Sequence, residues 1–133
     1  MSPHFEILCI GHQRQLMAVR VAVLRMEGYC VTEAYTTDDA FRILASSYID
    51  IVVICHSIPT QSRRRLALAI KGTRPLTPVI ALHEAFDYIN EADLSVDQLA
   101  GPETLLEAIA SLLKKPAHRA ALHAESHNAK STS

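Results

Sequence analysis

Three short runs of uninterrupted apolar residues constrain the fold of this chain more than any other feature. They occupy residues 7–10, 51–55 and 79–82, and each is too short for a helix of ordinary length. A run that is apolar at every position suits a strand covered on both faces, as strands are in parallel sheets. Between these runs, apolar residues recur at the spacing of amphipathic helices. This alternation of strands and helices predicts an α/β fold.

The intervening segments complete the predicted architecture. We expect helices at residues 14–27, after the Thr36 cap, at 62–71 and from Pro102 to Pro116, with further strands at 30–35 and, on a weaker pattern, 92–96. The predicted buried stripe of the first helix carries Leu16, Val19, Val23 and Met26. Right-handed crossovers place such helices on both faces of the sheet. The expected fold is therefore a single doubly wound five-stranded parallel sheet.

Length and composition predict one domain. The chain has 133 residues, of which 49% are hydrophobic, enough for one core of ordinary size. We expect that domain to span residues 1–116. Residues 117–133 hold one Leu and no aromatic residue, so they bury too little surface to offset their ordering entropy, and a disordered tail is expected.

Charge and cysteine content limit the expected partners and location. The formal net charge is -1 and charged residues make up 20%. The overall charge of the chain therefore does not attract it to nucleic acid or to anionic lipid. The apolar runs are far shorter than the roughly 20 residues of a membrane-crossing helix. Three cysteines, with no basic-then-apolar leader before them, lead us to expect reduced thiols in the cytoplasm. We expect Cys9 and Cys30 to be core residues.

Chemically distinctive residues follow the predicted strands. Gly11 and His12 follow the first strand, Cys55 ends the third, and His83 follows the fourth. In open α/β sheets, ligands gather at the carboxyl ends of the strands near the point where strand order reverses. These four residues are therefore expected to share one edge of the sheet.

The frame from Asp50 to Pro59 resembles the third strand of bacterial response-regulator receiver domains, which are CheY-like. Further matching pieces are the spacing from Gly11 to Gly28-Tyr29, the segment from Pro78 to Leu82, and the helix start from Pro102 to Leu106. The resemblance covers about residues 5–115 and implies the flavodoxin-like receiver fold. The segment between the fourth and fifth strands is about two helical turns shorter than usual in receivers. We therefore expect the fourth helix to be shortened or missing.

The resemblance also indicates which positions correspond to the phosphorylation pocket of receivers. At each of these positions the residue differs from the one that a working receiver uses. A working receiver holds Mg²⁺ with acids after the first strand, accepts phosphate on an Asp after the third, and uses a Thr or Ser and a Lys after the fourth and fifth. In this sequence those positions fall on Gly11, His12, Cys55, His83 and Gln98. Glycine offers no ligand, imidazole is a poor Mg²⁺ ligand beside carboxylate, and a thiolate is too soft for that ion. We expect a degenerate pseudo-receiver with no catalytic residue, no metal and no cofactor.

The resemblance and the altered pocket together lead to two functional hypotheses. The leading one is a phosphorylation-independent module, not an enzyme, which acts by protein–protein interaction within a bacterial two-component phosphorelay, with a protein partner or as a homodimer. The candidate interaction surface comprises Arg63, Arg64, Arg65, Phe86 and Tyr88. The alternative is a thiol or soft-metal sensor at Cys55, with His12 and His83 nearby. Against it, buried cysteines are often inert small hydrophobes.

Overall fold

Five parallel strands form one sheet in the computed structural model, which describes residues 4–125 and the side chains of residues 4–113. The strands are β1 (Glu6–Ile10), β2 (Cys30–Ala34), β3 (Ile51–Ile54), β4 (Val79–His83) and β5 (Leu94–Asp97). Their order across the sheet is β2-β1-β3-β4-β5, and every neighbouring pair is parallel. The expected sheet is confirmed, because strand order reverses beside β1 as in a doubly wound fold.

Helices cover both faces of this sheet. They are α1 (Arg14–Met26), α2 (Thr37–Ser46), α3 (Thr60–Thr73) and α4 (Pro102–Glu125), with a 3-10 turn at Gln98–Ala100. Alternate residues of the central strands point to opposite faces, so Val52 packs with α2 and α3 while Val53 packs with α1 and α4. Each face therefore has its own apolar core, which accounts for the uninterrupted apolar runs.

The segment between β4 and β5 contains no helix. Residues 84–93 run through turns and bends before the chain enters β5. The expectation that the fourth helix of the receiver pattern is shortened or missing is confirmed. Within the described residues, no helix combines the length and the apolar content that crossing a bilayer requires.

The predicted buried stripe of α1 was wrong. Met17, Val21 and Leu24 are the buried residues, whereas Val19 is 65% exposed and Met26 is 87% exposed. The helix carries apolar residues on two adjoining sides, and the sequence pattern alone does not rank them. The expectation for Cys30 was also wrong: it is exposed, because β2 lies at the edge of the sheet.

The last helix continues beyond its predicted end at Pro116 and reaches Glu125. The predicted end rested on the properties of proline, which inside a helix removes one backbone hydrogen bond and clashes with the carbonyl four residues before it, so that the helix kinks or breaks. The predicted tail begins at residue 117, and residues 126–133 lie outside the described part of the chain. Its disorder remains a prediction.

Candidate functional site

The carboxyl ends of β1 and β3 bring Gly11 and Cys55 together, as expected. The Cys55 backbone N–H donates to the Ile10 carbonyl at 2.8 Å. A Cβ atom placed on Gly11 would lie only 3.1 Å from the Cys55 Cβ. The two positions that the resemblance assigns to a metal-binding acid and to the phosphate acceptor are therefore in direct contact.

Met17 of α1 fills the space beside this pair. It is completely buried, and a Cβ on Gly11 would lie 3.0 Å from its Sδ and 3.2 Å from its Cγ. The Cys55 Sγ–H donates to the Met17 Sδ at 3.6 Å. A flexible thioether suits an irregular gap of this kind. Gly11, Met17 and Cys55 together form an apolar plug where the receiver pattern places its acids.

Cys55 has the environment of a packed thiol and not that of a reactive one. Its exposed fraction is 1%, and burial raises the pKa of its thiol. The Arg20 guanidinium acts in the opposite direction, but its effect is smaller than that of burial. Reactive cysteines need a lowered pKa and access to solvent. Both observations disfavour a thiol sensor at this position.

The described residues do not assemble a metal site. They contain no group of three or more His, Cys, Asp or Glu side chains that could hold an ion. His12 is exposed, and His83 places its Nδ1 at 3.0 Å from the Ala85 carbonyl. The Gln98 Nε2 donates to Glu84 at 3.3 Å. The residues around the plug therefore do not fit Mg²⁺, which prefers carboxylate and water ligands.

His56, Arg20 and Glu84 form a polar group at this edge that the sequence analysis did not identify. His56, whose side chain is only 11% exposed, lies with its Nδ1 at 3.4 Å from the Arg20 Nη2 and its Nε2 at 3.9 Å from a Glu84 oxygen. Burial lowers the pKa of His56, and the positive charge of Arg20 lowers it further. A neutral imidazole therefore separates a cation on α1 from an acid in the β4–β5 segment.

We expect His56 to make the stability of the domain depend on pH. Its folded-state pKa is lowered, so its contribution is complete above the unfolded value near 6.5. Below that pH the unfolded chain takes up the proton first, and the free energy of unfolding falls. Urea unfolding between pH 7.5 and pH 5.5 should show a smaller decrease for His56→Gln than for the wild type. Equal decreases in the two proteins would contradict this assignment.

Arg63 is the one fully buried charged residue among the described side chains, with 1% of its surface exposed. Its Nε donates to the Ile58 carbonyl and its Nη1 to the Leu82 carbonyl, both at 2.9 Å. Its Nη2 donates to the Asp87 carbonyl at 3.0 Å and to the Asp87 carboxylate at 2.9 Å. One guanidinium thus joins the loop before α3, the end of β4 and the segment that replaces the missing helix.

The burial of Arg63 corrects the predicted interaction surface. Arg64 forms an ion pair with Glu91 at 2.9 Å, and only Arg65 of the three arginines is exposed without an ion pair among the described residues. Phe86 and Tyr88 remain on the surface, with 92% and 54% of their areas exposed. The polybasic cluster expected from the sequence is therefore one structural arginine followed by two surface arginines.

Comparison with known proteins identifies the fold. No protein-family model and no curated protein matches the sequence. A CheY-like receiver domain protein from Methanospirillum hungatei JF-1 superimposes with a TM-score of 0.77 at 18% identity, covering 88% of this chain and 99% of that one. The receiver domain of an HD domain-containing protein from Pseudomonas fluorescens Pf-5 gives 0.78 at 21%, covering 90% and 93%.

A third similar structure is that of a response regulator in complex with a ligand. Response regulator TrrA from Thermotoga maritima, in complex with Mg(2+)-BeF, superimposes with a TM-score of 0.74 at 21% identity, covering 81% of this chain and 98% of that one. At such identities the likeness establishes the fold alone. The chain therefore has the five-stranded, flavodoxin-like fold of receiver domains.

Proposed function

We propose that this protein is a pseudo-receiver: a phosphorylation-independent signalling module of a two-component phosphorelay, which acts by binding a protein partner and not by catalysis. The plug formed by Gly11, Met17 and Cys55 carries this proposal. Phosphoryl transfer to an aspartate requires an acceptor carboxylate and a cation that neutralises the developing charge. At this edge a buried thiol occupies the acceptor position, and a thioether fills the adjacent space.

The contacts of Arg63 support a module with one conformation. The guanidinium binds the loop before α3 and the β4–β5 segment at the same time. Moving either segment away would leave a buried cation or buried carbonyls without partners, which is energetically costly. In the proposed module, partner binding therefore does not depend on a phosphate-driven movement of these loops.

The exposed aromatic residues supply the proposed contact surface. Phe86 and Tyr88 lie on the segment that Arg63 holds in place, and Arg65 lies at the surface near the start of α3. Aromatic side chains and arginine are enriched in protein interfaces. Ordering these residues before binding lowers the entropy that an interface must offset. The proposed partner is a protein of the same signalling pathway, or a second copy of the chain, in the bacterial cytoplasm.

A phosphate mimic tests the proposal directly. With the full chain labelled for two-dimensional NMR, beryllofluoride and Mg²⁺ should leave the amide signals of Gly11, Cys55 and His56 unmoved, because the plug leaves no acceptor oxygen or metal ligands there. A phosphorylatable receiver treated in the same way is the positive control. Saturable shifts centred on those residues would refute a phosphorylation-independent function.

A further inference from the structure

Acidic residues are concentrated in one part of the chain, from the turn before β4 to the middle of α4. Between residues 75 and 113 the sequence has seven acidic residues and neither a Lys nor an Arg. They are Glu84, Asp87, Glu91, Asp93, Asp97, Glu103 and Glu107. Cations of α3 pair with the carboxylates of Asp87, Glu91 and Asp93. None of the other four pairs with a Lys or an Arg among the described side chains, so this region carries a local excess of negative charge.

Three of these acids lie at the carboxyl ends of β4 and β5. Glu84 follows β4, and its carboxylate accepts from the Gln98 Nε2 at 3.3 Å, which joins the loops after the two strands. Asp97 ends β5 and pairs in register with His83 of β4. Glu103 is an exposed residue in the first turn of α4, which begins soon after β5 ends. The fold therefore brings these three carboxylates to the same end of the sheet.

Large apolar side chains stand on the same two loops. Phe86 is 92% exposed in the segment after β4, and Leu99 is 77% exposed in the turn after β5. Neither side chain is mounted on an isolated loop: Arg63 binds the Asp87 carboxylate at 2.9 Å beside Phe86, and the Leu99 N–H donates to the Asp97 carboxylate at 2.9 Å. Apolar anchors surrounded by a polar rim are the usual composition of a protein-binding surface.

The charge of this surface selects its partner. Carboxylates repel nucleic acid and anionic lipid, which both carry negative charge. A second copy of the chain bound about a two-fold axis would place the same acids opposite one another, and like charges across an interface are costly. A protein segment with positive charges next to an apolar side chain complements both parts of the surface.

We propose that Phe86, Leu99 and the acids Glu84, Asp97 and Glu103 form a docking surface for a basic segment of another protein. The apolar side chains of that segment lie on Phe86 and Leu99, and its Lys or Arg side chains lie against the acids. This proposal rests on the protein-binding function proposed above and specifies the chemistry of the partner. It narrows the contact surface to its acidic part and does not use Arg65.

Two peptides that differ in charge test the partner's chemistry. Titrating the full chain with the peptide Lys-Leu-Leu-Lys-Lys-Leu-Leu-Lys should give saturable NMR shifts of the Phe86, Gln98 and Leu99 amides. The control peptide has Glu in place of every Lys and should bind at least about tenfold more weakly, because like charges then face each other. Sodium chloride should weaken binding of the lysine peptide, since salt screens exposed charges. Equal binding of the two peptides, or no saturable shifts at those amides, would overturn the proposal.

Two pairs of variants locate the site. Phe86→Ser should weaken binding of the lysine peptide at least about fivefold, whereas Leu76→Ser should leave it unchanged. Both side chains are 92% exposed, but Leu76 precedes β4 and so lies at the opposite end of the sheet. Glu103→Gln removes one exposed charge and should weaken binding about threefold, with the exposed Glu27 after α1 as the control in Glu27→Gln. Equal effects within either pair would overturn the proposal.

The outcomes separate this proposal from the pseudo-receiver function. If beryllofluoride shifts the signals of Gly11 and Cys55 while the lysine peptide binds as expected, the phosphorylation-independent function fails and the docking surface stands. If beryllofluoride leaves those signals unmoved and the peptide does not bind, the partner's chemistry is wrong. Shifts of the Phe86 and Leu99 amides that depend on protein concentration in the absence of peptide would show that a second copy covers this surface, and would also overturn the proposal.

Discussion

Replacing Arg63 by methionine is expected to lower the free energy of unfolding by about 3 kcal/mol or more. The substitution keeps an unbranched apolar stem and removes every donor of the guanidinium. The carbonyls of Ile58 and Leu82, which accept from Arg63 at 2.9 Å, would then be left without that donor in the interior. Urea unfolding at pH 7, followed by circular dichroism, measures the change. The ion pair with Asp87 contributes less, because the Asp87 side chain is 55% exposed.

The two following arginines provide controls within the same helix turn. Arg64→Met breaks an ion pair whose arginine is 51% exposed, and Arg65→Met changes an exposed residue. Each should change the free energy of unfolding by no more than about 1 kcal/mol. Similar losses for all three substitutions would show that Arg63 has no special structural role.

The sequence predicts the sheet well because burial on both faces leaves a simple pattern. The run at Ile51–Ile54 is apolar at every position, and all four of its residues are buried in the central strand. In contrast, β5 exposes Leu94 and Ser95 at the sheet edge, so its pattern was weak. The shortened connection before β5 was predicted by comparing its length with the usual length in receiver domains, a comparison that does not depend on side-chain contacts.

Helix faces were harder to predict than strands. In α3 the buried residues Arg63, Leu66, Ala67 and Ile70 follow the i, i+3, i+4, i+7 spacing of a core-facing stripe. This spacing indicates that Arg63 lies on the buried face of α3. The positive charge of Arg63, in contrast, favoured a surface position, and the sequence analysis followed the charge. The carbonyls that satisfy the guanidinium come from Ile58 and Leu82, and the fold alone brings them together.

The sequence predicted where the site lies in the fold, but not which side chains fill it. Parallel strand order required Gly11 and Cys55 to lie at one edge, and they do. The sequence did not identify Met17 as the side chain between them, because it lay off the predicted stripe of α1. Nor did it identify the contact between Arg20 and His56, two residues 36 positions apart in the chain. Such contacts depend on how a helix is rotated about its own axis. Assigning the buried stripe one residue too early or too late changes which side chains are predicted to face the sheet.

Introducing an acid at Gly11 is the second substitution with a large expected effect. Gly11→Asp should lower the free energy of unfolding by about 3 kcal/mol, since it overpacks the plug and buries a carboxylate. The added Cβ would lie 3.0 Å from the Met17 Sδ and 3.1 Å from the Cys55 Cβ, closer than ordinary contacts. Gly11→Ala separates the two causes, because it adds the Cβ without the charge and should cost about 1–3 kcal/mol.

A double-mutant cycle with Met17→Ala tests whether the plug is the obstacle. Met17→Ala is destabilising by itself, since it leaves a cavity beside Cys55. In that background Gly11→Asp should cost less than in the wild type, because the Sδ and Cγ atoms that the new side chain would meet are absent. An unchanged cost would show that Met17 does not exclude the acid. A reduced cost would mean that the packing of α1 against β1 and β3 excludes an acid at position 11, so that a metal-binding acid there would require a change in that packing.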